Sequence, residues 1–329
     1  MLNGRRLFLV SLLLIVAITG CSSPVQETQT EVTALPPVTE VNLINPMGPA
    51  VIPVAGIASQ NVHGDIAIHV QYWKTVDEAI GLLSGGQADF AVLPITNGVN
   101  LAASGIDLVL LGVHEWKVFY LIAANDSEFT GWDSLKGKTL YTPEGKGQTA
   151  DVMTRYALAK EGITPDEDVT FSYAPAQEIA ALFKEGKVEF AALPEPYVTL
   201  ALAANNGKVV LDYQEYWSEI SGAKQGIPIA GLFVTREFLN NRPQEAQTVA
   251  ETLSDSTQWA NENVTEAISA SAEILPIPAP VMQTALQRIK FEYVTAAEVK
   301  QEVIDFLETM QSVYPEGIKE IPDEDFFVQ

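Results

Sequence analysis

The residues best placed to do chemistry stand just behind two prolines: Thr96 and Asn97 follow Pro94, and Glu195 and Tyr197 follow Pro194. Hydroxyl, amide, carboxylate and phenol groups donate and accept hydrogen bonds, so such a set can hold a small solute without reacting with it. A second candidate is the turn Gly145-Lys146-Gly147-Gln148-Thr149. Its glycines free the backbone and Thr149 is expected to cap the following helix, so N–H groups and a helix dipole could receive a carboxylate, a sulfonate or a ring carbonyl. It lacks the Lys-Ser or Lys-Thr ending of a phosphate loop. Met47, Gly48 and Pro49 form another strand-to-helix turn, a possible ligand floor or an ordinary connection. Tyr72 and Trp73 end a β-rich run and could wall a pocket, although core packing is the commoner fate of such aromatics. Covalent chemistry has no visible basis, because these turns carry no His, no Cys and no nucleophile beside a base. No cofactor is expected. His63 and His69 flank a strand and His114 lies elsewhere, but carboxylates at ligand spacing are missing and solvated or core histidines are the commoner case, so no metal is expected either.

The elements that must position these groups occur twice. Gly86 to Pro94 reads GQADFAVLP and Gly186 to Pro194 reads GKVEFAALP, with matching residues 100 apart. Each copy predicts a helix end closed by glycine, then a short buried strand stopped by proline. Ahead of the first copy lie Val41 to Asn45, Ala50 to Ser59, Asp65 to Gln71 and Val76 to Ser84; ahead of the second, Lys138 to Thr142, Thr149 to Glu161, Asp168 to Tyr173 and Ala176 to Glu185. Both halves therefore read β-α-β-α-β, which implies parallel strands joined by right-handed crossovers and two lobes facing across a cleft. Ligands in open α/β sheets bind at the carboxyl ends of strands, where the candidate groups sit.

Between the halves, Leu108 to Gly112 and Lys117 to Ala123 read as two strands around a polar turn, with the crossing to the second lobe placed at Asn125-Asp126-Ser127. Ile227 to Thr235 reads as a strand returning to the first lobe, and the remainder as helices: Pro243 to Asn261, Val264 to Ile274, Pro280 to Ile289 and Ala296 to Tyr314. The expected division is residues 41–124 plus 227–329 for lobe one and 125–226 for lobe two.

The 329 residues carry 19 basic and 42 acidic side chains, a net charge of −23, which argues against nucleic acid as a partner. Arg5 and Arg6 precede an apolar run from Leu7 to Ile18 that ends in Thr19-Gly20-Cys21. A run this short reads as a signal-peptide core rather than a spanning helix. Residues 1–20 are thus expected to be removed. Ser22 to Glu40, rich in Ser, Thr, Pro, Gln and Glu, reads as a disordered tether behind Cys21.

Taken together, these stretches resemble the substrate-binding proteins of ABC importers, in the branch with nitrate-, taurine-, aliphatic-sulfonate- and thiamine-pyrimidine-type binders. The resemblance is carried by the Gly48-Pro49 turn, Gly86 to Asn97, Asp133 to Val152, Lys187 to Thr199 and Tyr314 to Phe327. It covers nearly all of the body and implies a two-lobed periplasmic-binding-protein-like α/β fold of parallel-type sheets flanked by helices, with the C-terminal helices on lobe one. It further implies a monomeric, non-enzymatic solute carrier that delivers to a permease and its ATPase subunits. Ile18 to Cys21 is similar to a lipobox, which implies palmitate-type lipidation of Cys21 and anchoring on the extracytoplasmic face of the cell membrane. The same fold also carries menaquinone- and pyrimidine-pathway-like enzymes, and a metal-binding lipoprotein is a third alternative.

Overall fold

A computed structural model of the chain describes residues 36–143 and 145–328. The signal segment, Cys21 and most of the tether lie outside the described residues, as does Glu144 in the second turn. Among the described residues no helix is long and apolar enough to cross a membrane.

The repeated stretch folds as its residue types require. Gly86 and Gly186 take left-handed φ values of 63° and 72°, which a Cβ disfavours. They close helices α2 (Val76–Ser84) and α5 (Ala176–Lys184). In each, the next amide reaches back to a carbonyl in the last turn, Gln87 N–H to Leu82 and Lys187 N–H to Leu182, both at 2.9 Å. Strands β3 (Phe90–Pro94) and β8 (Phe190–Pro194) follow, each buried over its first four residues.

Around them stand β1 (Glu40–Pro46), α1 (Ala55–Ala58) and β2 (Ala67–Trp73) in one half. The other half has β6 (Thr139–Thr142), α4 (Thr149–Lys160) and β7 (Thr170–Tyr173). The registers match: Leu43 pairs with Phe90 across β1 and β3, and Leu140 with Phe190 across β6 and β8. After β3 and β8 come α3 (Ile95–Ala102) and α6 (Tyr197–Leu202), then β4 (Leu108–Lys117) and β9 (Gly207–Asp212). The repeat therefore runs one strand further than the sequence pattern indicates.

Each sheet is mixed rather than parallel throughout, because each is completed by an antiparallel strand from across the hinge. With β5 (Phe119–Ala124), β10 (Ala230–Thr235) and β11 (Lys290–Thr295), the orders are β2-β1-β3-β10-β4-β11 and β7-β6-β8-β5-β9. Strand β5 pairs with β8, Phe119 opposite Pro194; β10 pairs with β3, Ala230 opposite Pro94. This corrects the expected crossing at Asn125: β4 runs unbroken through His114 and Glu115, and the chain changes sheets at Val118. No turn forms there because the segment lacks a Pro/Asn/Asp cluster and its flanks Val113, Trp116 and Val118 are all buried.

The C-terminal part is α7 (Tyr213–Ser221) before β10, then α8 (Arg236–Asn241), α9 (Pro243–Glu262), α10 (Val264–Ser271), α11 (Ala279–Ala285), β11 (Lys290–Thr295) and α12 (Ala296–Val313). Strand β11 corrects the all-helical expectation: Phe291, Tyr293 and Val294 are β-formers, and their segment extends the first sheet along β4. Helix α12 starts with a Thr295/Glu298 capping box and packs on α4 of the second half as well as on β4, with Phe306 edge-on to Trp217 at 5.7 Å.

Helix α3 lies close on the returning strand. A Cβ on Gly98 would stand 2.2 Å from the ring of Phe233, which is fully buried. Gly98→Ala should lower stability by about 1–3 kcal/mol, the usual cost of overpacking. Urea denaturation measures it; an unchanged midpoint would mean that α3 is not held against β10.

Candidate functional site

The strand-end turns are built by backbone and side-chain bonds that the sequence does not reveal. At the end of β1, Asn45 is fully buried and its Nδ2 donates to the carbonyls of Pro46 (3.0 Å) and Ala50 (3.2 Å), while its Oδ1 has no partner. This staples the turn through Met47, Gly48 and Pro49, with Met47 N–H donating to Trp73 C=O at 2.9 Å. All three are half-buried, and the space where a Gly48 side chain would project is open. By the pairing of the repeats, Asn45 corresponds to Thr142 at the end of β6. Thr142 too is fully buried, and its hydroxyl is unpartnered.

The glycine-rich turn differs from expectation. Gly147 N–H donates to Asp151 Oδ2 at 2.8 Å, so a carboxylate of the protein occupies one of the donors expected to be free. Asp151 is itself fully buried and held by Arg155 Nε and Tyr173 Oη, both at 2.9 Å from Oδ1. Arg155 in turn forks onto Asp166, at 2.8 and 3.0 Å. The ring of Tyr314, just after α12, covers Gly147 and leaves no room for a Cβ, and Lys146 is exposed beside that ring. Gln148, not Thr149, takes the cap position of α4, and no side chain caps it; Thr149 is the first helical residue. Asp151 thus takes up the Gly147 donor and makes the turn a structural joint, with Gly145 at its half-buried rim.

Behind β3, Thr96 is buried and Asn97 half-buried in the first turn of α3, where N–H groups have no acceptor within the helix. The Asn97 amide makes no hydrogen bond to a described residue. Behind β8, Glu195 is fully buried and already engaged: Oε2 accepts from Thr199 N–H, Oε1 accepts from Thr199 Oγ1, and Arg288 Nη1 reaches Oε1, each at 3.0 Å. Burial pushes its pKa up, opposed by the Thr199 hydrogen bonds and Arg288. Arg288 follows α11, so this pair bridges the two halves. Tyr197 and Tyr72 are half-buried and pack against the apolar cores of their own halves, and Trp73 is 5% exposed in the core.

From sequence, His114 reads as an ordinary solvated or core histidine and Glu115 as part of a polar turn. Both are buried, at 0% and 4% exposure, at the end of β4 three to four residues before the crossing at Val118. Glu115 pairs with Ala230, and the next rung pairs Val113 with Gly231, so His114 is the extra residue of a bulge. Neither ring nitrogen of His114 has a partner, and burial pulls its pKa down to about 3. Burial pushes Glu115 up to about 8. The available signal was charge inside an apolar run: VLLGVHEWKVFYLI has β-strand composition on both sides of the pair.

Two halves, each a sheet between helices and joined by strands that cross in both directions, define the two-lobed fold of the periplasmic binding proteins. Residues 138–276 match the model of the NMT1-like family. The putative binding protein YtlA of Bacillus subtilis is 24% identical over 210 residues, 62% of this chain and 60% of its own length, so the chain spans about three fifths of that curated relative. Among solved structures, an ABC transporter protein from Parabacteroides distasonis is 26% identical over 88% of this chain and 99% of its own, with a TM-score of 0.74. The periplasmic aliphatic sulphonate binding protein SsuA from Escherichia coli is 19% identical over 89% of this chain and 93% of its own, with a TM-score of 0.71. Two of these three proteins are named as binding proteins and the third as an ABC transporter.

The two buried groups on β4 give a testable pH dependence. Glu115 keeps its proton in the folded state up to about pH 8 but loses it near 4.5 when unfolded, so stability falls as pH rises through that window. His114 works the other way: the unfolded chain binds a proton below 6.5 that the folded state refuses down to about 3, so stability rises over that range. The two oppose each other from 4.5 to 6.5, which leaves the Glu115 decline between about 6.5 and 8. In solute-free protein, chemical denaturation should show a loss of about 1 kcal/mol per pH unit there. Glu115→Gln should abolish it, and equal slopes in both proteins would contradict the burial of an uncompensated carboxyl.

Proposed function

We propose that the protein is the extracytoplasmic solute-binding component of an ABC importer. It captures a small polar organic solute between its lobes, closes on it by a hinge motion, and presents the closed form to a membrane permease served by ATPase subunits. The observation that carries this reading is the exchange of β5 and β10 between the sheets, an architecture shared over 88% of the chain with the ABC transporter structure. The site we assign lies at the carboxyl ends of the central strands. Met47, Gly48, Pro49, Thr96 and Asn97 form the lobe-one side. Gly145, Lys146, Gly147, Gln148, Thr149, Glu195 and Tyr197 form the lobe-two side, with Tyr72 and Trp73 behind. Within that set the unengaged amide of Asn97 is the stronger solute contact, and the Asp151-filled turn and the Arg288-bound Glu195 are supports. Lobe one is assigned as residues 41–117 plus 227–329 and lobe two as 119–226.

A single solute should bind with one-to-one stoichiometry and raise the melting temperature, since a ligand of the folded state alone must stabilise it. Thermal shift followed by calorimetry tests this. Asn97→Ala should weaken binding by about 1–3 kcal/mol, the cost of an unsatisfied buried polar partner, with little change in solute-free stability. Unchanged affinity would move the solute elsewhere.

The anchoring is part of the proposal. Cys21, the one cysteine of the chain, carries the lipid, residues 1–20 are removed, and residues 21–39 tether a monomeric body to the cell membrane. Cys21→Ala should shift the protein from the membrane to the soluble fraction; a variant that stays with membranes would require another anchor.

A further inference from the structure

Among the described residues three carboxylates are buried: Asp151, Glu195 and Glu115. The first two show what this fold does with a buried acid. Asp151 is met by Arg155, Tyr173 and the Gly147 amide, and Glu195 by Arg288 and Thr199. The Glu115 carboxyl is met by nothing: only the backbone of this residue is bonded, its carbonyl accepting from Ile229 N–H, and burial alone perturbs the side chain. The cations closest along the chain and on the adjoining strand are committed elsewhere. Lys117 pairs with Asp212 and Glu215, and Lys290 pairs with Glu292 and the Gln225 side chain. A buried acid without a partner costs stability unless something absent from the chain completes it.

Its position points to what completes it. Directly opposed residues in antiparallel ladders project to the same face. Glu115 is opposed by Ala230 on one side and Phe291 on the other, and Ala230 is opposed by Pro94. Ala230 packs with Ala50 and Val54, and Phe291 with Ile52 and Ala55, so Glu115 projects on the face covered by the segment that follows Met47-Gly48-Pro49. It stands in the same row as Pro94, two strands or roughly 10 Å along the sheet edge, beside the start of α3. Leu43 lies in the same core as Ala50, and Asn45, two residues on, shares that face and presents an unpartnered acceptor, Oδ1. The Glu115 carboxyl, three strands from Asn45 in the same sheet, is thus an unfilled half of a recognition site, and the bulge at His114 is the device that aims the strand end.

We propose that Glu115 is a specificity-determining residue of the solute site and that the solute offers it an N–H donor, as an amine, an amidine or an aminated N-heterocycle. The assignment rests on the binding-protein reading above and narrows it. A nitrate ion or a simple sulfonate offers the Glu115 carboxyl no N–H donor and, as an anion, favours its protonated form, whereas a cationic or N–H-rich solute favours the carboxylate and satisfies it. Discrimination of this kind is strong because it leaves buried polar groups unpaired in the wrong complex.

The test uses the mature chain and matched probes that differ by the amine: 4-amino-2-methylpyrimidine against 2-methylpyrimidine, taurine against isethionate, and ethanolamine against ethylene glycol, with nitrate alongside. At least one amine member should raise the melting temperature while its partner does not. In calorimetry, Glu115→Gln should weaken that amine by about tenfold or more, with an unchanged far-UV spectrum and a melting temperature no lower than that of the parent. Glu115→Asp, which keeps an ionisable carboxyl, should retain more affinity than Glu115→Gln. Nitrate or isethionate bound equally by parent and Glu115→Gln would overturn the role of Glu115 and leave the binding-protein reading in place. Binding of no probe at all would count against both.

Discussion

The structure depends on two strand exchanges. Each parallel trio, β2-β1-β3 or β7-β6-β8, leaves one edge of its central-strand partner open, and the antiparallel strand that pairs there arrives from the other half. Neither sheet is complete alone, so the lobes share their cores at the hinge even while their outer parts stand apart. The constraint also fixes chemistry in space: Pro94 and Pro194 each lie opposite a residue of a crossing strand, Ala230 and Phe119. The strand ends that carry polar side chains are thereby held beside the crossing strands, as the hinge closure proposed above requires.

The fold was largely legible because it is written in local signals repeated at a fixed interval. FAVLP and FAALP could only be short strands with both faces covered, and Gly86 and Gly186 had the left-handed role that their place after an apolar helix implies. What escaped was pairing, which no local signal states. Strand β5 belongs to the other sheet, and an apolar run says that it is buried but not beside whom; its paired residues on β8 and β9 lie 67 to 92 residues onward in sequence. Strand β11 was lost between helices for the same reason. The site was less legible still. Gly145 to Thr149 has the composition of an anion cradle, yet Asp151, four residues past Gly147, supplies the anion itself. Glu195 looked available until Arg288, 93 residues away, was seen to hold it. Glu115 looked like a turn and is the interior of a strand.

These outcomes share an electrostatic logic. The chain is strongly acidic overall, but its surface acids face water and are screened, whereas the few buried ones decide what the interior tolerates. The fold neutralises Asp151 and Glu195 with arginines drawn from α4 and from the segment after α11, and both pairs brace the joints between the strand ends and the helices. Glu115 stands outside this pattern at the hinge itself. A solute that completes it would couple recognition to the strand through which the lobes turn, so that binding and closure report on one another.

The most direct measurement is the distance between the lobes with and without solute. Cysteines placed at the exposed, repeat-related positions Asp77 on α2 and Gln177 on α5, in a chain lacking Cys21, can carry a fluorescent pair for single-molecule energy transfer. With the amine solute selected by thermal shift, the account predicts that the distribution moves toward the closed, high-transfer state, and that Glu115→Gln requires higher solute concentrations for the same shift. A distribution unchanged by a solute that binds would contradict capture between the lobes.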